Sequence, residues 1–505
     1  MSGPLAVTGH FQVIADLMDA AVEQIGDQEA YVDGSRRLTF AEWISAADRV
    51  AAAFADRGVV RGDVVALHLG PCIDYAIGYA ALARLGAVTT GINTRLGPTE
   101  VHAILRRCTP RLVVVEDEAS TPAGVGEAIV VRLDELRSSA SGSGLAPRGR
   151  VGRSAAAPDD PLCIIWTSGT TGVPKGAWFD HRNLEAAVRG AGTMTHAFDR
   201  RLSAVPMAHA GYMAKLWEQF AMGVTLVLSP TPWTAESMLE VLATERITVG
   251  AAVPTQWAKL LELDALADAD VSEMRIALAA TAPAPPELVA RVAEALGCPL
   301  VVRYAMTESP SITGTEPDDP PEVQHRTVGR AQDGMAVAIV DAAGSSLPRG
   351  QVGRVAIRGG CVMRGYWNDP VTTSEVLDAA GTLTSSDLGR FDDDDNLVLV
   401  GRANDMYIRG GYNVYPLEVE QVLADHSLVD RVAVIGMPAE VIGEIGVAFV
   451  VPRDAGAPPT LEQLRSWVGE RLADYKTPDR LVVLEDLPLT AMAKVDKEAL
   501  RLSLA

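Results

Sequence analysis

The stretch Thr167-Ser-Gly-Thr-Thr-Gly-Val-Pro-Lys-Gly176 follows directly on the apolar run Cys163–Trp166. Its residue types serve one purpose. Glycines let the backbone turn and come close to a ligand. Successive N–H groups of such a loop form a concave anion site. The hydroxyls of Thr167, Ser168, Thr170 and Thr171 donate to phosphate oxygens, and Lys175 adds a point charge. A Walker loop needs glycine, lysine and a hydroxyl residue in succession, whereas here Pro174 precedes Lys175 and Gly176 follows it. The loop is therefore read as a phosphate loop of another kind, fed by a buried strand.

Working outward, short β-branched and apolar runs read as buried strands at 112–115, 163–166, 225–228, 248–253, 276–280 and 300–303. Between several of them lie helical periods. In 286–296, Leu288, Val292 and Leu296 recur every four residues behind a proline-rich entry. Strand and helix in alternation mean mostly parallel sheets covered by helices. The segment 138–161, rich in Ser, Gly, Pro and Arg, reads as a surface connection. From about 328 to 400 the pattern changes to short strands with turn residues, a small antiparallel β subdomain. After Gly401-Arg402 a turn-rich segment, Arg409-Gly-Gly-Tyr-Asn413, leads through Pro416 into a helix, two strands and a further helix. The fold class expected is α/β: a large N-terminal domain, residues 1–404, joined to a small α+β domain, residues 405–505.

Charge narrows the partners. The 505 residues carry 44 basic and 65 acidic side chains, net −21, which argues against nucleic acid. An anionic ligand then needs a local positive site. Cys72, Cys108, Cys163, Cys298 and Cys361 are far apart, with neither a disulfide framework nor zinc-ligand spacing. The N-terminus lacks the basic and apolar regions of a signal peptide. The most apolar stretch, from Val64 to Val88, is interrupted by His68, Asp74 and Arg84, so no membrane span is expected and the cytoplasm is the default location.

The loop resembles the signature of the adenylate-forming superfamily, which includes acyl-CoA synthetases, luciferases and the adenylation domains of peptide synthetases. Further motifs follow in that family's order over nearly the whole chain, and the sequence is most similar to a stand-alone AMP-forming acyl-CoA synthetase. By that resemblance Thr167, Ser168, Gly169, Thr170, Thr171, Gly172 and Lys175 hold phosphates, and Thr281, Ala282 and Pro283 line the adenine. In Tyr304-Ala-Met-Thr-Glu308 it implies that Tyr304 stacks on adenine, Thr307 meets the α-phosphate and Glu308 binds Mg²⁺. Asp387 and Arg402 face the ribose, Asp405 is the hinge, and Lys494 in Pro488-Leu-Thr-Ala-Met-Ala-Lys494 is the catalytic lysine. His209 sits near the substrate carboxylate, and Gly410 and Gly411 open a path for the thiol.

The implied reaction joins a carboxylic acid to ATP, releases pyrophosphate, and passes the acyl group to coenzyme A. No aspartate stands near His209 to hold an amino acid's ammonium. Ala277, Ala279, Ala280, Ala305 and Met306 suggest apolar walls. A fatty, alicyclic or aryl acid with no fixed charge at its far end is the expected substrate. Two alternatives stay open here: an acyl-AMP ligase that loads a carrier protein in trans, and a nucleotide or acyl-CoA binder without turnover. The second is motivated by Thr281, Ala305, Ser386 and Ala493, which replace glycines of the family pattern. Each costs about 1–2 kcal/mol if its position needs positive φ. The oligomeric state is left open, a homodimer included.

Overall fold

The computed structural model describes residues 4–141, 156–167, 174–279, 286–439, 441–490 and 494–504. Among them four sheets organise the chain. The first has seven strands. Val64–His68 lies in its interior, parallel to both Val88–Gly91 and Leu112–Val115. Pro161–Thr167 runs parallel to Val88–Gly91, and Lys175–Asp180 returns antiparallel to Pro161–Thr167. The glycine-rich loop therefore closes a hairpin, with Thr167 and Lys175 opposite each other in register. Residues 168–173 of that loop lie outside the described residues.

The second sheet has nine strands. Thr225–Leu228, Arg200–Ser203, Val249–Ala252, Ile276–Ala279 and Leu300–Met306 are parallel neighbours in that order. Most of their residues are apolar, as parallel strands buried on both faces require; Arg200–Ser203 and Arg303 are the exceptions. Helices fill the space around the sheets. Phe40–Asp56 starts with a reciprocal capping box between Thr39 and Glu42. It buries Trp43, whose ring stacks on Phe220 at 4.4 Å. Each such fully buried side chain contributes roughly 1.5–3 kcal/mol.

The third sheet is the expected antiparallel unit, Met335–Val340, Gly353–Gly359, Leu383–Phe391 and Leu397–Arg402. The fourth belongs to the small α+β domain. Val429–Ala439 pairs antiparallel with Gly443–Pro452, and Arg480–Val483 joins Gly443–Pro452 in parallel. Tyr407, Val419, Leu423, Val434, Val450 and Leu464 make its separate core. The turn-rich segment is a hairpin, Tyr407–Arg409 against Tyr412–Val414. Gly410 at φ 57° and Gly411 at φ 87° make its turn. Two successive left-handed residues give the tight turn whose twist matches its strands.

Two sequence expectations need correction. Ala277 and Ala279 do not wall a pocket; they pack with Trp257, Val289 and Val292 on the other face of the sheet. Alternation puts them there once Gly250 pairs with Ala277, because Gly250 lies against Trp257. Second, neither Ala305 nor Ser386 has positive φ. Both are strand residues, so the feared backbone strain is not incurred at either. Thr281 and Ala493 lie outside the described residues.

Candidate active site

The strand Leu300–Met306 and the strand Ser309–Gly314 form a hairpin whose turn is Thr307-Glu308. Tyr304 therefore sits within the strand, not after it. Its hydroxyl donates to Asp387 Oδ2 at 2.6 Å. Asp387 lies opposite Arg402 across the ladder of the third sheet, and Arg402 Nε donates to Asp387 Oδ1 at 2.9 Å. One carboxylate thus ties the second sheet to the third. Burial, and then the charge of Asp387, raise the Tyr304 pKa, so the phenol stays a donor.

Glu308 is buried at the next turn. Tyr366 donates to its Oε1 at 2.8 Å, and the Met363 N–H donates to its backbone carbonyl at 2.8 Å. Lys175 Nζ stands 5.4 Å from the centroid of the Tyr366 ring. Tyr366 thus links the lysine of the phosphate loop to the acidic residue of the hairpin turn. It was not singled out from the sequence, because it comes from a two-residue strand far along the chain, Gly365–Tyr366, that pairs with Lys175–Asp180.

Lys494 comes from the small domain. Its backbone is fixed by the Leu489–Val495 bridge and by the Thr490 N–H, which donates to the Lys494 carbonyl at 2.7 Å. Its amine reaches the large domain. Burial and then Arg402 lower its pKa, while Asp387 and Glu308 act in the opposite direction. His209 feels the same amine: burial, and then the charge of Lys494, bring its pKa down to about 4. His209 Nδ1 accepts the Gly211 N–H at 3.1 Å at the start of the helix Ala210–Met213, which leaves the proton of the neutral ring on Nε2. Lys494, Glu308, Asp387, Arg402 and His209 therefore act on one region.

Asp405 lies in the turn after Leu397–Arg402, its N–H bonded to the Arg402 carbonyl at 3.1 Å. Its carboxylate is 3.9 Å from Lys497, which also pairs with Glu420 at 2.8 Å. Gly410 and Gly411 stand in open space, where a side chain at either would meet nothing within 4 Å. Ser168, Gly169, Thr170, Thr171, Gly172, Thr281, Ala282 and Pro283 lie outside the described residues.

The donor set fits a magnesium nucleotide. Among the described residues no group of three or more His, Cys, Asp or Glu could hold a metal alone. A hard ion that keeps waters and shares phosphate oxygens needs only one or two protein carboxylates. Glu308 offers Oε2 for this, since Tyr366 engages Oε1.

Sequence comparison matches residues 18–367 to the model described as AMP-binding enzyme and residues 418–494 to the AMP-binding enzyme C-terminal domain. The chain belongs to the AMP-binding enzyme family. It is 32% identical to a Rhodococcus jostii ligase named for joining a dioxo-octahydroindenyl propanoyl group to CoA, over 95% of this chain and 96% of that protein. It is also 32% identical to a long-chain-fatty-acid–CoA ligase of Mycobacterium tuberculosis, over 94% of this chain and 95% of that one. The crystal structure of ATP-bound MatB from Rhodopseudomonas palustris superposes with a TM-score of 0.88 at 28% identity, covering 97% of this chain and 98% of that one. As a member of this family the protein is an AMP-forming acid–thiol ligase, which activates an acid with ATP. Among its described residues no helix is long and apolar enough to cross a membrane.

Proposed function

We propose that this ligase converts a carboxylic acid and ATP to an acyl-adenylate and pyrophosphate, and then transfers the acyl group to the thiol of coenzyme A. The observation that carries the reading is the placement of the Lys494 amine, which feels Arg402, Asp387 and Glu308 at once and depresses His209. The first step must bring a carboxylate to a negatively charged α-phosphate. Two like charges about 4 Å apart cost on the order of 4 kcal/mol at an effective dielectric near 20. Lys494 offsets that repulsion and holds the attack geometry. Glu308 holds Mg²⁺, which neutralises phosphate charge when bound. Thr307 contacts the α-phosphate, Lys175 and the loop 167–172 hold the other phosphates, and Asp387 and Arg402 hold the ribose. His209 is neutral at physiological pH, so it donates from Nε2 to the acid without adding charge.

The second step requires the amine to leave. We assign the hinge to Asp405, between residues 1–404 and 405–505, because a few turn residues can absorb a domain rotation. Its contact with Lys497 is long, at 3.9 Å, and so offers little resistance to a change in its backbone angles. Gly410-Gly411 then lines the thiol path. Lys494→Ala is expected to suppress acid-dependent pyrophosphate exchange about 100-fold or more while sparing thioester formation from pre-made acyl-adenylate. Equal loss of both half-reactions refutes the assignment. Supplying free CoA tests the acceptor: a stalled adenylate would favour a carrier protein instead.

A further inference from the structure

A small cavity lies between the strand Arg200–Ser203 and the segment that follows His209. Arg201, Ser203, Gly211, Tyr212, Lys215 and Ala251 contribute to its wall. Gly211 joins this cavity to the active site, since its N–H is the donor to His209 Nδ1. An acid whose carboxylate lay beside His209 and Lys494 would have this cavity next to it.

This wall is charged. Glu218, 1% exposed, receives Lys215 Nζ on Oε2 at 2.7 Å. Its Oε1 receives Arg201 Nη2 at 2.9 Å and Thr195 Oγ1 at 2.6 Å. Neither Lys215 nor Arg201 has another carboxylate at ion-pair distance among the described residues. A third cation stands on the same sheet face. Ser203, Ala251, Leu278 and Val301 are register neighbours across four strands, and Arg303 lies two residues beyond Val301. Arg303 Nε and Nη1 are buried without a hydrogen-bond partner, and its Nη2 reaches only Glu316, at 3.4 Å. The charge of Glu218 reaches Arg303 as well. Three cations thus share Glu218 and Glu316, with Asp319, itself paired to Arg330, acting on Arg303 as a weaker third anion.

Burying charge beyond what its partners neutralise is costly, and a wall meant for hydrocarbon gains nothing by it. An ammonium has three donors, of which Glu218 takes one, so Lys215 keeps donors for a ligand in the cavity it lines. We propose that Lys215, backed by Arg201 and Arg303, receives a second carboxylate at the far end of the acid, so that short dicarboxylic acids are the preferred substrates. This rests on the acid-activation reading and replaces the expectation of an acid with no fixed charge at its far end.

The test is pyrophosphate release from the full chain with ATP and Mg²⁺, over diacids each matched to the monoacid and the ω-keto acid of equal carbon number. The diacids are expected to have the higher kcat/KM. Lys215→Met is expected to lower kcat/KM about 30-fold for the diacid and to change it less than about 3-fold for the monoacid. Lys215→Arg, which keeps the charge and the Glu218 contact, is expected to retain the diacid preference. The wild-type and Lys215→Arg arms carry the test whatever the stability of Lys215→Met. Equal or better use of monoacids or ω-keto acids by the wild type would overturn the proposal and leave adenylation standing. So would a uniform loss on all acids in a Lys215→Met variant that keeps the wild-type melting temperature. Absence of release with every acid would overturn the activation reading and this proposal with it.

Discussion

Glu308 and Glu218 are both buried carboxylates of the large domain, and their partners are opposite in kind. Glu218 has its cations built in. Burial pushes its pKa up, yet Lys215 and Arg201 outweigh that and carry it down to about 2. Glu308 receives a neutral phenol, Tyr366, and the amine that acts on it, Lys494, arrives from the other domain. Burial, and then the charge of Glu308, raise the Tyr366 pKa, so that phenol remains a donor. A carboxylate with resident cations is a structural anchor, and whatever positive charge remains around it can serve an anion. A carboxylate held only by a hydroxyl is a place to which a cation must be brought.

Exchanging charge for an isosteric amide at each position tests this contrast. Glu308→Gln keeps an acceptor for Tyr366 and removes the charge. It is expected to lower acid-dependent pyrophosphate release about 100- to 1000-fold with little change in melting temperature. Unchanged release would break the contrast at its functional end. Glu218→Gln leaves Lys215 and Arg201 without their anion in a poorly hydrated wall. Urea unfolding is expected to show a loss of about 3 kcal/mol. A variant as stable as the wild type would mean that the two cations are not held by Glu218. Tyr366→Phe removes one hydrogen bond to a charged group and is expected to lower kcat/KM about 10-fold. An effect as large as that of Glu308→Gln would make the phenol more than a positioning group.

The same contrast explains what could be read from the sequence. Tyr304, Thr307 and Glu308 lie in one five-residue motif, and Asp387, Arg402 and Lys494 sit in short motifs in family order, so the sequence by itself marks them as candidates for one site. Leu112–Val115, Thr225–Leu228, Val249–Ala252, Ile276–Ala279 and the start of Leu300–Met306 were legible as apolar runs, whereas Arg200–Ser203, with two arginines in four residues, was not. The charged cavity was not legible. Arg201 and Arg303 come from two strands, and Lys215 and Glu218 from the start of one helix, and only strand register puts Ser203, Ala251, Val301 and Arg303 on one face. The same missing register sent Ala277 and Ala279 to the wrong side. The hairpin around the phosphate loop was missed because a glycine-rich loop after a strand reads equally well as the entry to a helix.

The smallest predicted effect checks the position of Lys494 without turnover. His181 and His209 both have their pKa brought down to about 4, but for different reasons. At His181 burial is the cause that lowers it, with Asp180, Asp160 and Asp16 opposing. At His209 burial is joined by the charge of Lys494. Both rings are neutral when folded and bind a proton near pH 6.5 when unfolded, so the unfolded chain carries more protons between those values. Stability is therefore expected to fall as pH is lowered from about 6.5 toward 4, as followed by urea midpoints. In Lys494→Ala, NMR titration should move the His209 pKa upward and leave that of His181 in place. If neither moves, the amine does not lie beside His209 in solution. The cation that Glu308 lacks would then have to come from the nucleotide's metal alone.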